Sequence, residues 1–368
     1  MSDIKVLAYY LPAFHEIEEN NRWYGKGFTE WDNTKKAKPL FEGHNQPRIP
    51  EEYYDLSDIE VVKNQMKLAR ENGVYGFVYY HYWFDKTGKK ILEKPAEAVR
   101  KMRNEDKIHY CFCWANESWR KTWHEGRGDS ELLIEQKYEG QEDWLAHYLY
   151  LEPFFKDDMY IKVDGKPMLL IYKAENIPDY DNMIAFLEKK AKESGFKGIH
   201  IVRMLTNETV GEIKCKCDAK VDFEPSYTLN CKIRHAVLNP WRFKTCLYWR
   251  LSKYNWYVRK HLNCIDYDQF YKTLERKKIT NKNYYLGVFS DWDNSPRKGR
   301  RATIINGATP DKFKKHFKRI ADIAMKHDIE YIFCFAWNEW GEGGYLEADK
   351  KFGKGYLDAI KEVIIGSR

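Results

Sequence analysis

Eight apolar runs of strand length recur along this 368-residue chain, at 5–12, 74–83, 108–115, 166–173, 198–204, 220–227, 284–292 and 330–337. They are rich in Val, Ile, Phe, Tyr and Cys and nearly continuous rather than alternating. That pattern belongs to strands buried on both faces, as in a parallel sheet covered by helices. Amphipathic stretches lie between them. Residues 57–72 open with Ser57 as a cap, carry Ile59, Val62, Met66 and Ala69 at helical spacing, and stop at Gly73. Residues 141–155, 181–194 and 310–327 repeat the theme, the last with Phe313, Phe317, Ile320 and Ala324 on one face. Eight strands alternating with helices predict an α/β fold, a single (β/α)8 TIM-type barrel with long strand-to-helix loops, with residues 1–368 as one catalytic unit. An open doubly wound sheet is the alternative. It calls for a glycine-rich phosphate loop after the first strand, and LPAFHEIEENNRWYGKG (11–27) is not one.

A barrel places its chemistry at the C-terminal ends of its strands. The last run, YIFCFAW (331–337), stops at Asn338-Glu339, and Glu342 and Glu347 follow within eight residues of Glu339. Carboxylates at the exit of a buried strand are costly to desolvate without a partner or a role. Glu339 and Glu342, beside Trp337, Trp340 and Tyr345, are what glycosidic-bond chemistry uses: acid and base groups next to aromatic rings. The bland reading of any one of these glutamates is an ion pair with Lys or Arg. The third run ends in Trp114-Ala115-Asn116-Glu117-Ser118-Trp119, an echo of Trp337-Asn338-Glu339-Trp340. In each pair the carboxylate is expected to act while the amide holds a sugar hydroxyl, and Glu117 either shares in catalysis or only binds and orients. His15 after the first run, Trp31 in the loop that follows, His81 and Trp83 at the second, Glu224 in the sixth, and Asp291, Asp293 and Arg297 at the seventh complete the expected substrate-binding set. For Asp291 and Asp293, turn capping within Asp-Asn-Ser-Pro is an equal alternative.

The formal charge of +7, with no block of like charge, gives no sign of a nucleic-acid arm. An aromatic content of 16% suits stacking on sugars, and equally a crowded core. One segment stands apart: residues 228–265, between the sixth and seventh runs, contain no Asp or Glu, and eight Lys or Arg fall between Lys232 and Lys260 among Trp, Tyr and Leu. This basic aromatic insertion is expected to be a solvated hairpin, a contact for an acidic or lipid-linked glycan, or a peripheral membrane contact. Cys215-Lys216-Cys217 with Cys231 lacks zinc-ribbon spacing, so no metal and no cofactor are expected. The start, MSDIKVLAYYLP, has neither a basic n-region nor a long apolar stretch. The expected location is cytoplasmic, at most at the inner face of the membrane.

These stretches, from AYYLPAFHEIEENNRWYGKGFTEWDNTKKAKPLFEGHNQPRIPEEYYDL through GFVYYHYWF, FCWANESW, VDGKPMLLIY and SDWDNSPR to FAWNEWGEGGYLEAD, span residues 8–349. As a set they resemble the WbsX-type proteins, a glycoside hydrolase family 99-like group of bacterial surface-polysaccharide (O-antigen and capsule) biosynthesis. The resemblance implies a hydrolase-type barrel acting on glycosidic bonds of an oligo- or polysaccharide, although the family carries a glycosyltransferase label. A more distant resemblance, to family 99 endo-acting retaining α-mannosidases, rests on Asn338, Glu339 and Glu342 as an Asn-Glu-x-x-Glu pattern. It implies that Glu339 deprotonates the sugar 2-hydroxyl, which attacks the anomeric carbon, and that Glu342 is the general acid and base. The expected function is retaining hydrolysis or transglycosylation. The alternatives are transfer from a nucleotide- or lipid-linked sugar donor and non-catalytic glycan binding.

Overall fold

The computed structural model describes residues 4–366 except 122–130, 208–209, 212, 231–242, 244–246, 248–261, 276–278 and 280. Each of the eight apolar runs holds a strand: β1 (Lys5–Tyr10), β2 (Val74–Trp83), β3 (His109–Trp114), β4 (Lys166–Ile171), β5 (His200–Leu205), β6 (Ala219–Asp222), β7 (Tyr284–Phe289) and β8 (Tyr331–Phe335). Each pairs in parallel with its neighbour in sequence, and β8 returns to β1 with Leu7 opposite Phe333, so the barrel closes. Among the described residues the longer helices between strands and after β8 are α1 (Ile59–Glu71), α2 (Lys94–Lys101), α3 (Gln141–Phe155), α4 (Tyr180–Glu193), α5 (Tyr267–Leu274), α6 (Pro310–Lys326) and α7 (Gly355–Ile365).

The helices form where the periodicity puts them. Val62, Met66 and Ala69 of α1 are buried, as are Phe313, Phe317, Ile320 and Ala324 of α6. Each large side chain so buried contributes roughly 1.5–3 kcal/mol. The cap of α1 is Asp58 rather than Ser57: its carboxylate accepts the Glu60 amide at 2.9 Å. Both residue types are good caps, and the ionised one also complements the helix dipole. Gly73 stops the helix at φ +81°.

Much of the aromatic content fills the barrel. Tyr9 stacks on Tyr80 and meets Phe223 and Phe333, and Tyr285 stacks on Phe333. The insertion expected at 228–265 connects β6 to β7, and most of 232–260 lies outside the described residues. Phe243 and Leu247, which are described, are exposed. Among the described residues no helix is long and apolar enough to cross a membrane.

Candidate active site

After β8 the chain makes a tight hairpin in which Asn338 and Glu339 pair antiparallel with Tyr345 and Gly344. A single helical turn, Trp340–Glu342, lies between, and Gly343 closes it at φ +73°. The hairpin holds Glu339 and Glu342 on one short turn. Two glycines let its surroundings close in. A Cβ at Gly341 would lie 3.0 Å from Arg297 Nε, and one at Gly343 would lie 2.8 Å from the Asp293 amide nitrogen.

Arg297, on the short helix Ser295–Lys298 after β7, is the hub of the site. Its Nη1 donates to Glu342 Oε1 at 2.6 Å, and its Nη2 lies 3.3 Å from Glu339 Oε2 and 3.5 Å from Glu30 Oε2. One guanidinium thus faces three carboxylates. Burial pushes the Glu339 carboxyl up to about 8; Arg297 opposes that shift, while Glu342 and Glu30 add to it. The Glu339 side chain is 7% exposed and that of Glu342 22%, so Glu342 is the more open to the cavity.

The cavity above them, about 580 Å³, is lined by Glu30, Glu117, Arg297, Glu339 and Glu342 and by the rings of Tyr80, Tyr82, Trp119, Tyr138, Tyr172, Phe223 and Phe335. Glu117 faces the cavity across from the hairpin. Burial raises its carboxyl, against Lys173, whose Nζ is 3.8 Å away. The two Asn-Glu pairs are one device used twice. Asn338 accepts the Leu11 amide at 2.7 Å and donates to the Leu11 carbonyl at 3.0 Å; Asn116 does the same with the Lys173 amide and carbonyl, each at 2.8 Å. Each amide completes the backbone of a neighbouring strand's loop, where the sequence reading gives it a sugar hydroxyl. The glutamate that follows each asparagine then projects into the cavity.

The other expected residues fall elsewhere. His81 and Trp83 point out of β2 towards α3: His81 Nε2 lies 2.9 Å from His147 Nε2, and Trp83 donates to Asp143 at 2.8 Å. Burial lowers His81 to about 3, so it is neutral. Trp114 donates to the Trp83 carbonyl in the same layer. Trp31 packs among Phe14, Tyr53, Tyr54 and Trp340. Trp337 is buried against Phe77, and Trp340 stacks on Tyr345 with centroids 3.8 Å apart. Trp340 also donates to Glu347, a buried carboxyl raised to about 7 that Tyr54 and Gln65 bond as well. His15 is buried and outside the cavity lining, and Glu224 accepts from the Thr228 amide and hydroxyl.

Asp291 and Asp293 serve the loop chemistry that their turn motif allows. Asp291 accepts from Arg48 at 2.7 Å. Asp293 accepts from His44, Gln46 and the Ser295 amide, and these bonds with Arg48 hold it at about 2. Arg48 also donates to the Gly343 carbonyl at 2.8 Å, so the two aspartates anchor the hairpin from behind. Among the described residues no group of three or more His, Cys, Asp or Glu is placed to hold a metal ion.

Sequence reasoning missed Glu30, Tyr80, Tyr82, Tyr138, Tyr172 and Phe223. Strand geometry puts Tyr80 and Tyr82 together on the face of β2 opposite His81 and Trp83, but nothing in the sequence marks which of the two faces lines the cavity.

A family model described as glycosyltransferase WbsX matches residues 6–360. Two proteins named "Uncharacterized protein WxcX", from two strains of Xanthomonas campestris pv. campestris, are 32% and 31% identical over 370 residues. The matches cover 98% of this chain and 49% of each relative, so the chain spans about half the length of the curated relatives it matches. Among solved structures, the GH99 endo-alpha-mannosidase from Bacteroides thetaiotaomicron is similar with a TM-score of 0.55 at 13% identity, covering 100% of this chain and 98% of that one. A glycoside hydrolase-like protein gives 0.56 at 12% identity, covering 99% and 94%. What these structures share with the chain is the barrel.

Proposed function

The chain belongs to the WbsX glycosyltransferase family, and on that premise we propose that it is a carbohydrate-active enzyme of polysaccharide biosynthesis, acting on glycosidic bonds with Glu339 and Glu342. The observation that carries the proposal is the pairing of two carboxylates on one hairpin, at the mouth of the barrel, through Arg297 and inside an aromatic-walled cavity. Residues 1–368 act as one catalytic barrel. Glu339 is the base: a carboxyl whose proton affinity is raised towards the working pH is a stronger acceptor than an ordinary carboxylate. It takes the proton of the sugar 2-hydroxyl as that oxygen bonds to the anomeric carbon. Glu342, the more open of the two, must enter the step protonated while Glu339 enters it ionised; it gives that proton to the leaving glycosidic oxygen as the old C–O bond breaks. Water or an acceptor hydroxyl then opens the internal ring with the roles reversed, so configuration is retained. Tyr80, Tyr82, Trp119 and Tyr138 supply faces for sugar rings, and Glu117 binds a hydroxyl on the far wall.

The family's transferase label favours a second reading, in which the same centre accepts an activated donor. The basic 232–260 stretch then contacts its acidic or lipid-linked part. A glycan-cleavage screen with and without nucleotide sugars separates the readings. Shortened glycans without nucleotide support hydrolysis, extension only with nucleotide supports transfer, and binding without turnover supports a lectin-like role.

A further inference from the structure

Glu30 lies on the long loop between β1 and α1, far in sequence from either glutamate of the hairpin. It is 7% exposed and lines the cavity. Its cation is Arg297, 3.5 Å away through the Nη2 that also faces Glu339 at 3.3 Å. Arg297 is held more tightly by Glu342, at 2.6 Å. We propose that Glu30 is a positioning residue for Glu339, competing with it for one guanidinium nitrogen and so fixing how strongly Glu339 holds a proton. The proposal rests on the reading of Glu339 as the base.

The charges around the pair support it. Arg297 and Lys298 come from the short helix after β7, Glu342 from the hairpin, Tyr80 and Tyr82 from β2, and Tyr24 from the loop helix Glu18–Tyr24. Three carboxylates therefore crowd one guanidinium, with the exposed Lys298 beside them. Like charges this close raise one another's proton affinity, and Glu30 and Glu342 both act on Glu339 in that way. Burial raises the Glu30 carboxyl too, Arg297 opposes that, and Glu342 adds to it. Removing the Glu30 charge leaves Arg297 to Glu339 and lowers the proton affinity of the base.

The test needs no substrate. Infrared titration of the purified protein, with the protonated Glu339 carboxyl band assigned by its loss in Glu339→Gln, gives the midpoint of Glu339 directly. The isosteric Glu30→Gln is expected to lower that midpoint by about one pH unit or more. An unmoved midpoint overturns the proposal. If Glu30→Gln does not fold, the unsubstituted protein decides. Coupled carboxyls titrate in two steps, and a single independent step for Glu339 overturns the proposal. With a substrate in hand, Glu30→Gln is expected to move the rising limb of kcat/KM to lower pH, which a merely structural role would not do. Because the infrared midpoint is independent of turnover, Glu30 can fail this test while Glu339 remains essential. Conversely, Glu339 can prove dispensable while its midpoint still responds to Glu30.

Discussion

Arg297 donates to Glu342 at 2.6 Å while its other terminal nitrogen stands 3.3 Å from Glu339. The two carboxylates are therefore unequal before any sugar arrives: one is firmly paired, and the other is buried with a weaker partner. That asymmetry gives the two groups different proton affinities, and such a difference is what separate acid and base roles require.

Glu339→Gln and Glu342→Gln are expected to fold and to lose about 10²–10⁴-fold in turnover, the size of general acid–base assistance. Asn338→Ala is expected to fail differently. It strips the Leu11 amide and carbonyl of their buried partner, at a cost of about 2–4 kcal/mol. Thermal melts beside activity assays separate the two outcomes. Equal melting losses in all three would make the glutamates structural.

If Glu339 is the base, it should set the rising limb of kcat/KM, because only the unprotonated carboxylate accepts a proton and its value is about 8. A pH profile of native protein and Glu339→Gln checks this. A limb that instead falls through the same pH would assign Glu339 the proton-donor role.

Stability should show the opposite trend. Glu339 and Glu347 have folded values of about 8 and about 7, above the ordinary 4.5. Between those limits the folded state binds more protons than the unfolded one. The stabilisation is thus full below pH 4.5 and is lost as pH rises through 7 and 8. The melting temperature should fall from about pH 5 to 8, and Glu347→Gln should flatten that fall by on the order of 3 kcal/mol at its upper end. Asp293, held at about 2, acts in the other direction: its contribution is present at neutral pH and disappears only as pH falls through that value.

The two faces of β2 should respond differently to substitution. Tyr82→Ala removes a ring from the cavity wall and is expected to weaken kcat/KM roughly tenfold or more, the worth of one stacked ring. His81→Leu disturbs the layer against α3, where His81 meets His147, and is expected to lower the melting temperature and leave KM unchanged. Calorimetric titration with a bound oligosaccharide would show the same split.

The barrel was legible because apolar run length and helical spacing are local, and the hairpin because Asn338-Glu339 interrupts an apolar strand. The lining of the cavity was not. Strands buried on both faces carry no polar alternation to mark the inward side, so His81 and Trp83 read as well as Tyr80 and Tyr82 do. Trp337 and Trp340 look like a sugar platform in sequence and are core in the fold, because a buried ring and a stacking ring have the same composition signal. Glu30 had no local mark at all; only the return of the β1 loop onto Arg297 reveals it.

The most direct test of the glutamate pair is to incubate purified protein with reducing-end-labelled surface-polysaccharide fragments, with and without nucleotide sugars. The first products are then followed by mass and by anomeric NMR signals. Native protein is expected to form cleaved or re-linked glycans that retain the anomeric configuration, and folded Glu339→Gln or Glu342→Gln is expected to form none. Inverted products, or undiminished product formation by both variants, would contradict it.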